Sequence, residues 1–358
     1  MKKKIAILFI ILLLVVVGYY FVHNSQNFDY LGENSTSDED LINQTATVAG
    51  KLITNKNSSN SIATNISKTF NVVVNGQTRT YNLYVPKSYN SSIAVPLIFV
   101  FHGGGSNNKN IEEMSNMDVE AETRNFIVVY PLGTPSVKST EKEIQATWNG
   151  GPAGGGLAYQ KKVDDVLFVK EMIKNISSQY KIDTNRIYST GISMGGMVSY
   201  RLACEMTDTF AAIAPVASVL VLNKSDCHPT RAIPIIHFHG TADKFVPYLG
   251  GYSDKSLPKS FVVGGPYISV LDTINFFKTN NKITSSAKGI YLQGDVNCVE
   301  YAGGKNPIEL CTITDGGHTW PGSKVNGLIL NYILGTTTQN ISATKTMLDF
   351  FWQHPLTK

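Results

Sequence analysis

Residues 186–203 read Arg186-Ile187-Tyr188-Ser189-Thr190-Gly191-Ile192-Ser193-Met194-Gly195-Gly196-Met197-Val198-Ser199-Tyr200-Arg201-Leu202-Ala203. Arg186 to Thr190 has the composition of a short strand, and 197–203 carries a helical pattern. Ser193 falls at the corner between them. A serine on so sharp a strand-to-helix turn takes a strained backbone conformation, and flanking glycines remove side chains that would collide with the following helix. The competing reading is an ordinary glycine-rich helix start. The strand before and the helix after favour a nucleophilic Ser193.

A serine hydroxyl attacks only when a base takes its proton, and in this strand–turn–helix setting an acid and then a histidine follow along the chain. Two histidines lie in the last quarter, His318 and His354. His318 sits in the loop-forming run Asp315-Gly316-Gly317-His318-Thr319-Trp320-Pro321-Gly322, directly after the strand-like 310–314, whereas His354 follows an apparent C-terminal helix over 344–352. The base is therefore His318; otherwise it is a loop histidine bonded to backbone. The acid should follow the apolar run 233–238, and His239-Gly240-Thr241-Ala242-Asp243 supplies Asp243, with Asp315 as the competitor. Such a carboxylate fixes the imidazole tautomer and stabilises the imidazolium.

Acyl transfer also needs donors for the oxyanion. His102-Gly103-Gly104-Gly105 follows the apolar run 95–101, where a glycine-rich turn brings the N–H groups of Gly103 and Gly104 to the substrate, and the N–H of Met194 completes the set. A phosphate-binding loop is excluded because no Gly-Lys-Ser/Thr follows. His237 and His239 share one face of a strand, but no third ligand stands at a sensible spacing. A structural role is expected for them rather than a metal site.

Around these motifs the pattern alternates strand and helix. Phe70 to Val74, Asn75-Gly76 and Thr80 to Val85 form a hairpin signal, since Asn-Gly supplies the two positive φ angles of a tight turn. The runs 95–101 and 126–130 are apolar throughout, as strands buried on both faces are. Val163, Val166, Leu167, Ile173 and Ile176 form one helical stripe, with Asp164 and Asp165 in the first turn. The expected class is α/β, with a mostly parallel central sheet, helices on both faces and no large separate lid domain. Cys298 and Cys311 flank a Gly303-Gly304 turn between two strand-like runs, so a cross-strand disulfide is geometrically reasonable; Cys204 and Cys227 then remain as a pair, and four free thiols are the alternative.

Six motifs in order resemble the secreted esterases that include polyhydroxybutyrate depolymerases and feruloyl esterases, members of the α/β-hydrolase fold. They are Tyr84-Val85-Pro86, His102-Gly103-Gly104-Gly105, Val163-Asp164-Asp165-Val166, Gly191-Ile192-Ser193-Met194-Gly195-Gly196, His239-Gly240-Thr241-Ala242-Asp243 and Gly317-His318-Thr319-Trp320-Pro321-Gly322. The resemblance implies ester hydrolysis through an acyl-enzyme, no metal or organic cofactor, and Ser193, Asp243 and His318 as the triad. It departs from many relatives after Trp148-Asn149, where cysteines give way to Gly150-Gly151-Pro152-Ala153-Gly154-Gly155-Gly156. Trp148 and Trp320 are expected as walls of the acyl or alcohol pocket, the alternative being packing. A peptidase or acyltransferase would use the same triad, and a non-catalytic surface adhesin is the alternative of another class.

The 358 residues are 42% hydrophobic and 16% charged, which excludes general disorder, and a net charge of +4 without a dense basic block excludes a nucleic-acid partner. That charge divides as +3 over residues 1–22, −3 over 23–66 and +4 over the remainder. Lys2, Lys3 and Lys4 before the uncharged run 5–22 read as an export signal; the run reaches about 27 Å as a helix, near the lower limit for a membrane span. With no small-x-small site after it, an uncleaved anchor is favoured over a cleaved signal peptide. Residues 23–66, rich in Asn, Ser and Thr, form a flexible tether, and 67–358 the esterase domain. The expected setting is extracellular or cell-surface, with membrane contact through the N-terminal segment and an ester as substrate.

Overall fold

The computed structural model describes residues 67–136, 145–257, 264–324 and 333–356. The anchor and tether expected over 1–66 lie outside the described residues. Among the described residues no helix is long and apolar enough to cross a membrane.

The chain order is β1 (Lys68–Val74), β2 (Gln77–Tyr84), β3 (Val95–Phe101), α1 (Asn108–Ser115), α2 (Met117–Arg124), β4 (Ile127–Pro131), β5 (Thr134–Pro135), β6 (Ala146–Thr147), α3 (Gly156–Gln160), α4 (Asp165–Ser177), β7 (Ile182–Ile192), α5 (Met194–Glu205), β8 (Ala212–Val216), β9 (Ile235–Gly240), α6 (Val270–Asn280), β10 (Lys288–Gln293), β11 (Val296–Tyr301), β12 (Ile308–Ile313) and α7 (Ala343–Gln353). Apart from the small β5–β6 pair, the strands form one ten-stranded sheet in the order β1-β2-β4-β3-β7-β8-β9-β12-β11-β10. The six central strands, β4 to β12 in that order, are mutually parallel, and antiparallel pairs close both edges. The first edge pair turns through Asn75 and Gly76, both at positive φ, as the Asn-Gly signal requires.

The unbroken apolar run of β3 has a simple cause. Leu97, Phe99 and Phe101 belong to one core cluster, and Ile98 and Val100 to a second. With a side-chain period of two, both faces are covered. The first cluster takes Phe168 and Met172 of α4, Val198 and Leu202 of α5, and Ile274 and Phe277 of α6; the second takes Ile111 of α1, Met117 of α2, and Met347 and Phe351 of α7. The expected two-faced α/β class is what the strand order and these helices form.

Two acids behave differently from a first-turn reading. Asp164 is the N-cap of α4 and accepts from Leu167 N–H at 2.8 Å. Asp165 is buried instead, bonded to Arg79 Nη2 at 2.9 Å and accepting Asn149 N–H at 2.7 Å. It thereby pins the loop after β6 against β2. Both disulfides are formed: Cys298–Cys311 joins directly opposed positions of β11 and β12, and Cys204–Cys227 ties the end of α5 to a later loop. Each contributes about 3 kcal/mol for loops of this order.

A carboxylate cluster beside β4 makes stability pH-dependent. Half-buried Asp118 accepts the Tyr130 hydroxyl at 2.6 Å, and its carboxyl is pushed up to about 8, chiefly by burial and then by Glu112 and Glu122, against the Tyr130 bond. An acid that holds its proton more tightly folded than unfolded stabilises the fold below its unfolded value and loses that contribution as pH rises through the folded value. Between about pH 4 and the folded value stability therefore falls, and Asp118→Asn flattens the dependence. Thermal melts on both sides of that window check this; a variant slope equal to the wild-type slope overturns it.

Candidate active site

The parallel strands deliver the predicted residues to one edge. Ser193 follows the last residue of β7, Asp243 lies three residues beyond β9, and His318 five beyond β12. Backbone bonds stitch these ends together across the sheet: Ser193 N–H to Val216 O at 2.9 Å, Ala217 N–H to Phe238 O at 2.8 Å, Thr241 N–H to Ile313 O at 2.8 Å and Ala242 N–H to Gly316 O at 2.9 Å.

Ser193 has φ 57° and ψ −124°, the left-handed half of the map that a residue with a Cβ pays to occupy. The sequence folds so because α5 starts hard against β3. A Cβ on Gly191 would lie 2.7 Å from Phe101 O, and one on Gly195 would collide with the same carbonyl. The Ser193 hydroxyl does not cap the helix it begins, which leaves it for chemistry. The other serines of this stretch are occupied: Ser189 Oγ bonds Ser199 Oγ at 2.8 Å, and Ser199 Oγ donates to Gly195 O at 3.2 Å.

His318 Nδ1 meets Asp243 Oδ2 at 2.8 Å, with the carboxylate fully buried and the imidazole nearly so. Asp243 Oδ1 accepts two backbone N–H bonds, from Phe245 at 2.8 Å and Val246 at 2.9 Å. Burial alone would raise its pKa; the His318 charge and the bonds from His239 and His318 outweigh burial and hold the carboxyl well below the usual range. Asp243 is thus an anion that points the Nε2 edge of His318 away from itself. The Phe245 ring stacks on the imidazole, centroids 4.8 Å apart, and limits its rotation. No hydrogen bond joins Ser193 to His318 among the described residues, so the preformed element is the Asp243–His318 pair. Asp315, the competing acid, has its N–H bonded to Thr241 Oγ1 and no side-chain bond to His318.

The glycine loop lies on the nucleophile turn. A Cβ on Gly103 would stand 3.5 Å from Ser193 Cβ, and one on Gly104 would meet the Met194 thioether. His102 sets the loop: Gly133 N–H donates to its Nε2 at 3.0 Å, so Nδ1 carries the proton and donates to Gly103 O at 2.7 Å. Burial pushes this ring down to about 4, so it is neutral. The first turn of α5, which includes Met194, has N–H groups without intrahelical acceptors. Gly103 and Gly104 thus lie against the turn that carries Ser193 and Met194.

The two tryptophans are a correction. Trp148 is fully buried, edge-on to Phe101 and against His102, and donates to His102 O at 2.9 Å. Trp320 is 1% exposed and donates to Thr344 Oγ1 at 3.0 Å beneath α7. Neither indole offers surface to a substrate; Trp148 instead braces the loop that carries Gly103 and Gly104. A surface groove of about 570 Å³, lined by Lys224, His228, Asp272 and Phe276 among others, shares no residue with the site. Among the described residues no group of three His, Cys, Asp or Glu side chains is placed to hold a metal ion. Sequence reasoning missed Phe245 and Arg79. Phe245 stands two residues after the acid and was findable there, whereas Arg79 lies 86 residues from its partner with no local signal.

Residues 90–263 match the family model described as Phospholipase/Carboxylesterase. The chain has the α/β-hydrolase fold and is an esterase. Among curated relatives this hydrolase is 27% identical over 297 residues to "Putative esterase NocK" of Nocardia uniformis subsp. tsuyamanensis, covering 78% of this chain and 80% of that one. It is 31% identical over 239 residues to feruloyl esterase B of Piromyces equi, covering 65% of this chain but only 41% of the relative's length. Of solved structures, acetyl xylan esterase from Aspergillus awamori superposes with a TM-score of 0.51 over 75% of this chain and 99% of its own, at 14% identity, a likeness of fold.

Proposed function

We propose that this hydrolase cleaves carboxylic esters outside the cytoplasm through Ser193, His318 and Asp243. The observation that carries the reading is the buried Asp243–His318 bond at the same sheet edge as a strained serine. Ser193 Oγ attacks the ester carbonyl carbon while its proton passes to His318 Nε2. The tetrahedral oxyanion accepts from the N–H groups of Gly103, Gly104 and Met194. Collapse expels the alcohol, which takes the proton from His318. A water molecule then gives its proton to His318 and attacks the acyl carbon, releasing the acid as Ser193 recovers its proton. The imidazolium formed midway is stabilised by the ionised Asp243.

The names of the relatives support hydroxycinnamoyl and acetyl esters of polysaccharide as the substrate class, with a soluble polyhydroxybutyrate oligomer compatible with the same site. Export and membrane tethering rest on Lys2, Lys3, Lys4 and the uncharged run 5–22. The test is a panel of methyl ferulate, a p-nitrophenyl acetate, a 3-hydroxybutyrate oligomer and a peptide anilide, with fluorophosphonate labelling alongside. Ester release with stoichiometric labelling, and none from the anilide, is expected. Release from the anilide alone would make it a peptidase, and a protein that neither labels nor releases any acid would sink the reading.

A further inference from the structure

Three polar side chains are buried one behind another on the far side of Asp243. Tyr200 of α5, His237 and His239 of β9 are at most 1% exposed. The Tyr200 hydroxyl lies 2.7 Å from His237 Nδ1, His237 Nε2 lies 3.1 Å from His239 Nδ1, and His239 Nε2 lies 2.8 Å from Val246 O and 3.3 Å from Asp243 Oδ2. Burying three such groups in an apolar layer costs free energy that an aliphatic trio would not, unless every one is bonded and the set does something.

Proton counting fixes the direction. Val246 O and Asp243 Oδ2 only accept, so His239 Nε2 carries a hydrogen. With one proton per neutral ring, His239 Nδ1 is an acceptor, His237 Nε2 donates to it, and His237 Nδ1 accepts from Tyr200. Burial drives His237 well below the usual histidine range, which suits a neutral ring, and burial keeps the Tyr200 hydroxyl protonated.

We infer that Tyr200, His237 and His239 form a one-directional hydrogen-bond relay whose last N–H, bonded to Val246 O and 3.3 Å from Asp243 Oδ2, holds the backbone that clamps Asp243 in register with His318, making His239 a positioning residue for the reaction. Asp243 Oδ1 is already committed to Phe245 and Val246 N–H, so Oδ2 is the oxygen that must serve His318. The His239 N–H, bonded to Val246 O and 3.3 Å from Oδ2, fixes the Val246 backbone whose own N–H clamps Oδ1 and sets a partial positive charge beside Oδ2, so the carboxylate keeps its angle to the imidazole. The strand spacing that suggested a metal pair serves here to line up two imidazoles, stacked with centroids 5.3 Å apart.

This inference rests on the triad reading, and its test separates the two. His239→Gln keeps a side-chain N–H near the Nε2 position, whereas His239→Leu fills the space with an apolar group. The expected result is a fall in kcat of about tenfold for His239→Leu with KM within about twofold, recovered to within about threefold of wild type by His239→Gln. Tyr200→Phe, which removes one oxygen and retains the packing on Phe277, lowers kcat about threefold and shifts the His237 Nδ1 resonance in ¹⁵N spectra by removing its donor, while the ring keeps its Nε2–H tautomer. A purely packing role predicts the opposite order, with Leu at least as good as Gln in a dry site. That order, or a Tyr200→Phe enzyme with unchanged kcat and an unchanged His237 Nδ1 resonance, overturns the relay. Should His239→Leu not fold, Gln and Tyr200→Phe decide alone. Ser193→Ala separates the readings: if it is inactive while Leu and Gln are equivalent, the relay alone falls; if it retains turnover, the triad reading falls first.

Discussion

Ser193→Ala is expected to cut ester turnover by at least about 10⁴-fold while leaving the fold in place. In the proposed mechanism, deleting Oγ removes the atom that forms the acyl-enzyme, and the backbone donors around it supply only a residual rate. The structural cost is small because the hydroxyl caps no helix, and alanine retains a Cβ at the strained φ of 57° that the turn already tolerates. Neighbouring serines cannot stand in: Ser189 and Ser199 bond each other in the interior, and both are fully buried. The check combines initial rates on a p-nitrophenyl ester, fluorophosphonate labelling and a thermal melt. A folded variant that keeps more than about a hundredth of the wild-type rate would remove Ser193 from the chemistry.

What was legible in the sequence was what local chemistry decides. Asn75-Gly76 specifies a turn whichever fold surrounds it, and the strand, Ser193 corner and helix specify one another within eighteen residues. The contact between Asp243 and His318 was legible because chain order and strand ends limit which side chains reach the same edge. What failed depended on the third dimension. Trp148 and Trp320 stand next to site motifs in sequence, yet burial is a property of the whole layer packing, and both point inward. Asp165 satisfies a helix-dipole rule locally, but a tertiary partner, Arg79, takes its carboxylate. His237 and His239 announced a shared strand face; the Tyr200 hydroxyl that His237 meets comes from another element.

Asp243→Asn is expected to lower kcat by about 10³- to 10⁴-fold with little change in KM, because it keeps the shape and reverses one donor. The two backbone N–H groups of Phe245 and Val246 hold an oxygen at the Oδ1 position, so the asparagine must turn its NH₂ toward His318 Nδ1 and His239 Nε2. Facing a donor, His318 moves its proton to Nε2, the nitrogen that has to accept from Ser193. The substitution also leaves the His239 N–H and a buried amide hydrogen poorly matched, so the variant melts lower at neutral pH. Here the sign of the linkage gives a second check. A carboxyl held below its ordinary value contributes stability that is fully present above about pH 4 and is lost as pH falls through the folded value. The melting deficit of Asp243→Asn relative to wild type therefore narrows as the buffer is taken below about pH 4. A variant within about tenfold of wild-type kcat, or a deficit that widens in acid, would mean that Asp243 is not the ionised partner of His318.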